Sequence, residues 1–453
     1  MKKITFASLL FIFINCLYGQ QNIPVISGEP ERIMLTLPGN PATTAAVTWR
    51  TVYDDTASLA QIAIAMPSPN PENEAIKVTG THSPWEKESQ SGMGHRIIFT
   101  GLKPETMYVY RVGNGKNWSE WFQFRTASDQ IKPFSFIYLG DVQTDIFSQA
   151  SRMLRQAYTH FSDARFILYA GDIVDRSTDD RWAQLFRAGG WIFGTMPSMP
   201  TPGNHEYNTI PNSSARNFSA HWQQIFTMPE NGPSPKFNSR AYYLDYQGVR
   251  FISFDSPATG YSDEEDSIAL IRWLDATLAS NKNRWTIVFT HYPVYSCSQG
   301  RNNEKYRSAV QPLLEKYGVD MILQGHDHTY CRGMNMSNAG PSAKNYPVYV
   351  VSVSGPKMYG LNPSLWADRV ASETQLYQNI SISGNLLTYK SFTVNGELYD
   401  AFQIKKNRKG INRFIDAPEI EEKPERLTIP ESRKAGYKPE ELKIIETRMN
   451  RKK

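Results

Sequence analysis

Cysteine is scarce in this chain, which has only three in 453 residues. So few thiols exclude a disulfide-dense scaffold and a metal cluster held by several thiolates. The rest of the composition is that of a folded protein, because 40% of the residues are hydrophobic and 12% are aromatic. These fractions exclude disorder of the whole chain, and the length allows roughly two or three domains.

Long apolar runs are also lacking, since no stretch beyond the N-terminus is long and apolar enough for a membrane helix. The net charge is only +5, and its basic excess lies at the two ends of the chain. The segment 405–453 alone has 15 Lys and Arg residues against 9 Asp and Glu. The body between the ends is slightly acidic, which excludes a nucleic-acid-binding surface.

The N-terminus has the pattern of a secretory signal. Two lysines precede an apolar run over residues 4–14, which is too short to stay in a bilayer as a span. Cleavage after the small Gly19 would remove residues 1–19, so we expect a secreted or periplasmic mature chain without a membrane span. Lipid attachment at Cys16 is the alternative, but the preceding Ile14-Asn15 fits that cleavage signal poorly.

Residues 22–127 predict an all-β domain. Short segments such as Ala46–Arg50 and Leu59–Ala65 alternate between apolar and polar residues, as half-buried strands do. The string GLKPETMYVYRVG at residues 101–113 places a Gly and Pro corner before another alternating strand. This region resembles a fibronectin type III-like β-sandwich, and we expect it to be a spacer without chemistry, because a fold alone does not imply a function.

Residues 132–404 have a different pattern, in which strand-like and helical segments alternate. The predicted helix 147–161 has apolar residues at steps of three and four, which is typical of a helix that covers a sheet. Such alternation indicates an α/β domain. The charged segment 405–453 is interrupted by prolines, and we interpret it as a tail that is partly helical near residues 440–449.

The residues with reactive side chains follow five predicted strands, at the point where each strand ends. They are Asp141, Asp172, Asn204, His291, and the pair His326 and His328. Ligand groups in α/β sheets gather beyond the carboxyl ends of the strands, so we expect these side chains to share one crevice. Glycine precedes a ligand at positions 140, 171, 203 and 325, where the backbone must approach closely.

The donor set indicates a metal centre. Two carboxylates, one amide oxygen and three imidazoles offer too many nitrogens for Ca²⁺ or Mg²⁺ and too many oxygens for a structural zinc site. Two cations about 3.5–4 Å apart that share a carboxylate would use all six groups. Each motif alone is a common turn, but their joint occurrence in order, in a chain with only eight histidines, indicates a site.

These ordered motifs resemble those of the metallophosphoesterase superfamily: Gly140-Asp141, Gly171-Asp172, Gly203-Asn204-His205-Glu206, His291 and Gly325-His326-Asp327-His328. The preceding β-sandwich and the strings Tyr242-Tyr243 and His291-Tyr292-Pro293-Val294-Tyr295 are similar to the purple acid phosphatase branch. The resemblance extends from Glu29 to about Ile404. It implies a four-layer α/β/β/α catalytic domain behind an all-β sandwich.

The resemblance also implies a ligand assignment and a reaction. Asp141, Asp172 and His328 would hold one metal ion, and Asp172, Asn204, His291 and His326 the other, with Asp172 bridging. The enzyme would cleave small phosphate monoesters by attack of a metal-activated hydroxide. His205 matches the family's general acid, and we expect the adjacent Glu206 to orient it; a phosphate contact without proton transfer is the alternative. Arg301 would contact the substrate or lie in solvent.

Two positions depart from the family pattern. Asp175 stands where purple members have a tyrosine ligand, so the protein should not be purple. Gln143 stands where other members have a histidine ligand, and a neutral amide is a weaker ligand. The first metal site would therefore be loose, filled by water, or selective for a harder ion. Both residues are possible ligands or neighbours of ligands. Asp175 would ligate a metal directly, orient a ligand, or fix Arg176, which is a candidate substrate contact. Iron, zinc and manganese all remain open as the metals.

Two rival functions and one disulfide are also predicted. A phosphodiesterase that acts on nucleotides or phospholipid head groups is the nearest rival. The rival from another functional class is a non-catalytic binding module, which has lost the first metal ion because of Gln143.

Cys297 and Cys331 follow the ligands His291 and His328 closely, which suggests a disulfide between the two loops. Two buried thiols are the alternative.

Overall fold

The computed structural model describes residues 28–52, 54–85, 92–213, 215–334, 346–362, 366–417 and 424–449. The predicted leader of residues 1–19, including Cys16, lies outside these described residues. Within the part of the chain that is described, no helix has the length and apolar character needed to cross a membrane.

The N-terminal part is a β-sandwich, as its alternating sequence predicts. Its strands are β1 (Glu31–Thr36), β2 (Ala45–Val52), β3 (Leu59–Ile64), β4 (Ile76–Thr79), β5 (Thr81–Trp85), β6 (Gly92–Phe99), β7 (Met107–Gly113) and β8 (Phe122–Arg125). One layer has the order β1-β2-β6-β5 and the other has β4-β3-β7-β8. The core between them is apolar and includes Trp49, Ile62 and Tyr110.

Two further sheets follow. The first contains β9 (Phe134–Leu139), β10 (Ile167–Ala170), β11 (Ser198–Thr201), β21 (Leu376–Ser383), β22 (Leu386–Thr393), β23 (Leu398–Lys406) and β24 (Asn412–Asp416), in the order β24-β23-β22-β21-β9-β10-β11. The second contains β14 (Tyr242–Tyr246), β15 (Val249–Phe254), β16 (Trp285–Thr290), β17 (Met321–Gln324), β18 (Tyr330–Gly333), β19 (Val348–Val351) and β20 (Arg369–Ala371), in the order β14-β15-β16-β17-β19-β18-β20. A small hairpin is formed by β12 (Tyr207–Thr209) and β13 (Arg216–Phe218).

Helices lie around these two sheets and the β-sandwich. They are α1 (Ser151–His160), α2 (Asp179–Gly189), α3 (Ile192–Thr195), α4 (Ala220–Ile225), α5 (Ala258–Tyr261), α6 (Glu264–Ala279), α7 (Glu304–Lys316), α8 (Glu431–Lys434) and α9 (Pro439–Met449). Helices α1 and α2 pack on the first sheet, and α6 and α7 pack on the second. The sheets face each other through aromatic side chains, with the Phe136 and Phe251 ring centroids 5.3 Å apart. The predicted four-layer α/β/β/α architecture is confirmed.

The β-sandwich is fixed to the second domain by strand pairing and by buried charges. Strand β1 pairs in parallel with β11 through Thr36 and Ser198, which merges two sheets into one of eleven strands. Arg32 and Arg50 each donate from Nη1 to Asp179 Oδ1 at 2.6 Å. Because these side chains are almost fully buried, separating the domains would leave charges without their partners.

The segment predicted to be a tail continues the fold. Strand β23 runs to Lys406, past the predicted boundary at residue 404, and β24 adds another strand to the sheet. Helix α9 confirms the helix predicted near residues 440–449. The segment packs onto the α/β domain, because Leu427, Tyr437 and Ile445 are buried with Leu361 and the two cysteines.

Cys297 and Cys331 form a disulfide, as hypothesised, with Cα atoms 6.2 Å apart and a sequence separation of 34. Replacing both by Ser should lower the free energy of unfolding by about 3–4 kcal/mol, because the unfolded chain regains the freedom of that loop. Urea unfolding with and without reductant measures this effect. Reductant should destabilise the wild type to the level of the double variant and leave the double variant unchanged. Equal stability of all four samples would contradict the prediction.

Candidate metal centre

The six predicted ligands converge at the carboxyl ends of β9, β10, β11, β16 and β17. Two groups form, Asp172 with His291 and His326, and Asp141 with Asp172 and His328. Within each group the potential ligand atoms all lie within 4.8 Å of one another. Asp172 belongs to both groups, which is the arrangement that a shared carboxylate requires.

The group around His291 is closely spaced. His291 Nε2 lies 3.0 Å from Asn204 Oδ1, 3.1 Å from His326 Nδ1 and 3.2 Å from Asp172 Oδ2. On the opposite side of the ring, His291 Nδ1 donates to the carbonyl oxygen of Ala170 at 2.9 Å. In the neutral ring, this hydrogen bond fixes the tautomer that leaves a lone pair on Nε2, and oriented imidazoles of this kind are typical metal ligands.

The group around His328 has the same design. His328 Nδ1 donates to the carbonyl oxygen of Lys357 at 2.8 Å, so its Nε2 carries the lone pair. Nε2 lies 3.5 Å from Asp141 Oδ1, and that carboxylate oxygen is buried without any hydrogen-bond partner. A buried carboxylate oxygen without a partner is costly, and a cation between these atoms would satisfy it.

Gln143 lies inside the cluster. Its Nε2 is 2.8 Å from Asp172 Oδ2 and 3.0 Å from His328 Nε2, while its Oε1 is buried without a hydrogen-bond partner. A half-turn of the amide exchanges the two atoms and brings Oε1 between Asp172 and His328. The side chain therefore suits the predicted role of a neutral amide ligand to the first cation.

Asp175 lies outside both donor groups. Its carboxylate pairs with Arg181 Nε at 3.1 Å. Arg176 itself is exposed. The main-chain carbonyl of Asp175 does contribute to the site, because it accepts a hydrogen bond from His205 Nδ1 at 2.5 Å.

The backbone at the ligands is strained. Such strain is common at functional sites, where the surrounding structure holds residues in unfavourable conformations. Left-handed φ values of 41° to 76° occur at Asp141, Asp172, His326 and His328. Gly203 shows how close the chains approach, because a Cβ there would lie 2.1 Å from Asp172 Oδ1. The glycines predicted at the strand ends are therefore required by packing at the centre.

Burial dominates the electrostatics of the centre. It raises the pKa of Asp141 well above its usual range, since His291 offsets it only in part. Burial also acts to raise the pKa of Asp172, but His291 and His205 together outweigh it and the pKa is lowered. Burial acts to lower the pKa of His291, while Asp172 and Asp141 raise it to about 9. The ionised forms of these two buried carboxyl groups need positive charge nearby, and bound cations would supply it.

His205 lies at the opening of the cluster. Its main-chain N–H donates to Asp172 Oδ1 at 2.9 Å, and Nδ1 is held by the carbonyl of Asp175. Its Nε2 lies 3.8 Å from Asp172 Oδ2, and the side chain is 31% exposed. The ring therefore presents Nε2 toward the centre from a position that solvent and small molecules reach.

Comparison with known proteins agrees with this geometry. The model of the purple acid phosphatase N-terminal domain matches residues 30–126, and the model of the calcineurin-like phosphoesterases matches residues 134–330. The two matches together span more than half of the chain. The chain belongs to the purple acid phosphatase branch of the calcineurin-like phosphoesterases. It is therefore a phosphoester hydrolase of a family that uses divalent metal ions.

Two curated relatives of this phosphoesterase are named as acid phosphatases. Acid phosphatase type 7 of Homo sapiens is 28% identical over 355 residues, which are 72% of this chain and 75% of that protein. Purple acid phosphatase 21 of Arabidopsis thaliana is 30% identical over 283 residues, 60% of each chain. A solved structure titled "Structure of PhoD" has a TM-score of 0.62 at 12% identity, covering 94% of this chain and 99% of that chain, which is a likeness of fold alone.

Glu206 of the phosphoesterase has a role that the sequence did not predict. It is fully buried and accepts hydrogen bonds from the main-chain N–H groups of Gly203, Asp172 and Ile173 at 2.6, 3.0 and 2.9 Å. Burial, with the nearby Asp172, raises the pKa of Glu206 to about 8. The expectation that Glu206 orients His205 is wrong, because Glu206 instead ties two ligand loops together.

Replacing Glu206 by Gln should weaken metal binding by about 10–100-fold, the usual effect of removing a group that orients ligands. The amide has only one acceptor oxygen and would turn an NH₂ group toward main-chain donors. Metal titration followed by calorimetry measures the affinity. Glu230→Gln, at an exposed glutamate, is the control and should bind metal like the wild type. Unchanged affinity in Glu206→Gln would contradict the role.

Asp327 was also missed, although it lies between two predicted ligands. Its Oδ2 accepts from the main-chain N–H groups of residues 297 and 298, in the loop that follows His291. Its Oδ1 accepts from Arg301 Nη1 at 3.1 Å, and the same Nη1 donates to the carbonyl of His326 at 2.6 Å. Asp327 thus holds the predicted substrate contact Arg301 beside the metal centre.

Two tyrosines flank the centre on opposite ligands. The Tyr292 ring centroid lies 4.5 Å from that of His326, and the Tyr359 centroid lies 4.5 Å from that of His328. The Arg301 guanidinium is 5.0 Å from the Tyr359 ring. Neither tyrosine carries a signal in sequence beyond its position near a motif.

Proposed function

We propose that the protein is a secreted or periplasmic dimetal phosphohydrolase that cleaves phosphate monoesters. The observation that carries the proposal is the pair of donor groups that share Asp172, one of which includes the partnerless Asp141 Oδ1. In the proposed assignment, the first cation is held by Asp141, Asp172, His328 and the amide oxygen of Gln143. The second is held by Asp172, Asn204, His291 and His326.

When bound, the cations supply Lewis-acid activation of water and neutralise phosphate charge. The chain's own residues do the rest. His205 delivers a proton from Nε2 to the leaving oxygen, a role supported by the hydrogen bond that anchors Nδ1 to Asp175. Asp172 Oδ2 lies 3.8 Å from that Nε2, so the ring is placed beside the shared carboxylate. Arg301, held by Asp327, offers its guanidinium to phosphate oxygens.

The metals are proposed to be iron, zinc or manganese. Asp175 replaces the tyrosine ligand of purple members and pairs with Arg181, so iron-loaded protein should show no purple absorbance. Secretion is proposed from the N-terminal pattern alone. Sequencing the N-terminus of exported protein tests it, since cleavage after Gly19 gives a chain that begins at Gln20.

Monoester hydrolysis should exceed diester hydrolysis by at least about 10-fold in kcat/KM, because His205 and Arg301 would recognise a terminal phosphate. Turnover of p-nitrophenyl phosphate and of bis(p-nitrophenyl) phosphate, with manganese, zinc or iron added, measures the ratio. A reversed ratio would favour the phosphodiesterase. Absence of turnover and of bound metal would favour the binding module.

A further inference from the structure

Arg216 is a half-buried arginine beside the metal centre. It lies on β13, in the hairpin that follows the ligand Asn204. Its Nη1 donates to the main-chain carbonyl of Asn204 at 3.4 Å, and its guanidinium carbon lies 4.6 Å from the centre of the Tyr261 ring. The guanidinium is therefore held against the loop that supplies both a metal ligand and His205.

The charge of Arg216 has no counter-charge in the part of the chain that the structure describes. No carboxylate there pairs with it, and the bond to the Asn204 carbonyl is the one hydrogen bond of its side chain among those residues. Arg301, in contrast, is paired with Asp327 at 3.1 Å. Since a guanidinium has five N–H donors, Arg216 retains donors for an anion from outside the protein.

Two tyrosines connect Arg216 with the ligands of the second cation. Tyr292 donates its O–H to the Tyr261 hydroxyl at 3.3 Å, and its ring centroid lies 4.5 Å from that of His326. Burial raises the pKa of Tyr292, a shift that Asp172 increases and Arg216 opposes. The Tyr292 phenol therefore lies close to both charges, which places Arg216 within electrostatic reach of the centre.

The contact with Asn204 indicates which part of a substrate Arg216 would meet. His205, the proposed proton donor to the leaving oxygen, is the next residue in the chain. The leaving alcohol must lie within hydrogen-bond reach of His205 when the ester bond breaks. A group carried by that alcohol is therefore the part of the substrate nearest to Arg216.

We propose that Arg216 determines specificity by binding a carboxylate carried by the leaving alcohol, so that the preferred substrates are phosphate monoesters of hydroxy acids. This inference rests on the proposed phosphohydrolase function. The planar guanidinium matches the shape and the single charge of a carboxylate. Arg216 takes no part in the bond changes. Water oxygen bonds to phosphorus, the bond from phosphorus to the ester oxygen breaks, and that oxygen takes the proton from His205.

The test compares two esters of similar size that differ in one charge, 2-phosphoglycolate and 2-hydroxyethyl phosphate, with the metal-saturated protein. Wild-type kcat/KM should be at least about 10-fold higher for 2-phosphoglycolate, as expected for one hydrogen-bonded charge pair. In Arg216→Gln, this preference should fall below about twofold, mainly through a higher KM for 2-phosphoglycolate. The amide keeps a donor for the Asn204 carbonyl but lacks the charge. Arg216→Lys keeps the charge and should retain most of the preference.

Arg111→Gln is the matched control. Arg111 belongs to the β-sandwich, is also half-buried, and lies 4.6 Å from the centre of the Trp121 ring. Its variant should hydrolyse both esters like the wild type. A wild type without the preference would overturn the proposal, and so would equal losses for both esters in Arg216→Gln, which would indicate that Arg216 only supports the loop. An Arg216→Lys variant as unselective as Arg216→Gln would also overturn it.

A failure of the proposed function would give a different result. If the wild type hydrolyses neither ester, the phosphohydrolase function fails, and the role of Arg216 is then judged by calorimetric titration of the metal-saturated protein with each ester. Tighter binding of 2-phosphoglycolate that is lost in Arg216→Gln supports the carboxylate contact. Equal binding of the two esters to the wild type, or binding of neither, overturns it.

Discussion

Replacing Asp172 by Asn is expected to abolish turnover, with a loss of more than about 10³-fold in kcat. Asp172 Oδ2 lies next to His291, Gln143 and His205, so both cations would lose their shared anionic ligand. Asn has the same size and keeps an oxygen that can accept from the His205 N–H. The loss therefore reports the missing charge rather than a cavity.

Steady-state hydrolysis of p-nitrophenyl phosphate at saturating metal measures this effect. Asp129→Asn, at an exposed aspartate, is the matched control and should retain full activity. Thermal unfolding of both variants checks that they fold. Near-normal turnover in folded Asp172→Asn would contradict a shared carboxylate at the centre.

Replacing His205 by Ala is expected to lower kcat by about 10²–10⁴-fold for alkyl phosphates, whose leaving oxygen needs a proton. The loss should be much smaller for p-nitrophenyl phosphate, because p-nitrophenolate leaves without protonation. The difference follows from the position of Nε2, which faces the centre while Nδ1 is held by Asp175.

Comparing both esters in His205→Ala separates proton transfer from phosphate binding. Equal losses for the two esters would indicate that His205 only contacts phosphate. His82→Ala, at an exposed histidine of the β-sandwich, is the control and should leave both rates unchanged. The ratio of the two losses is thus the quantity that decides the role of His205.

The candidate ligands were predictable because their position depends on a local rule. Each follows a strand whose apolar pattern can be recognised, and parallel strands bring their carboxyl ends together. The four-layer fold was predictable in the same way, from alternating strands and helices and from the resemblance of the motifs. Gln143 was found because it replaces a ligand at a fixed spacing from Asp141.

Other features depend on contacts that no spacing reveals. Glu206 and Asp327 act through main-chain N–H groups of distant loops, and the sequence does not show which loops those are. The pairing of β1 with β11 and the burial of Asp179 between two arginines join residues more than a hundred positions apart. The segment after residue 404 was interpreted as a tail because most of it is charged or polar. The few apolar residues that are buried do not stand out in its sequence.

Anomalous diffraction from metal-loaded crystals tests the dimetal centre most directly. Two peaks about 3.5–4 Å apart are expected, with Asp172 between them. Asp141 and His328 should ligate one ion and His291 and His326 the other, at about 2.0–2.2 Å. A single peak, no peak, or peaks away from these side chains would contradict the assignment.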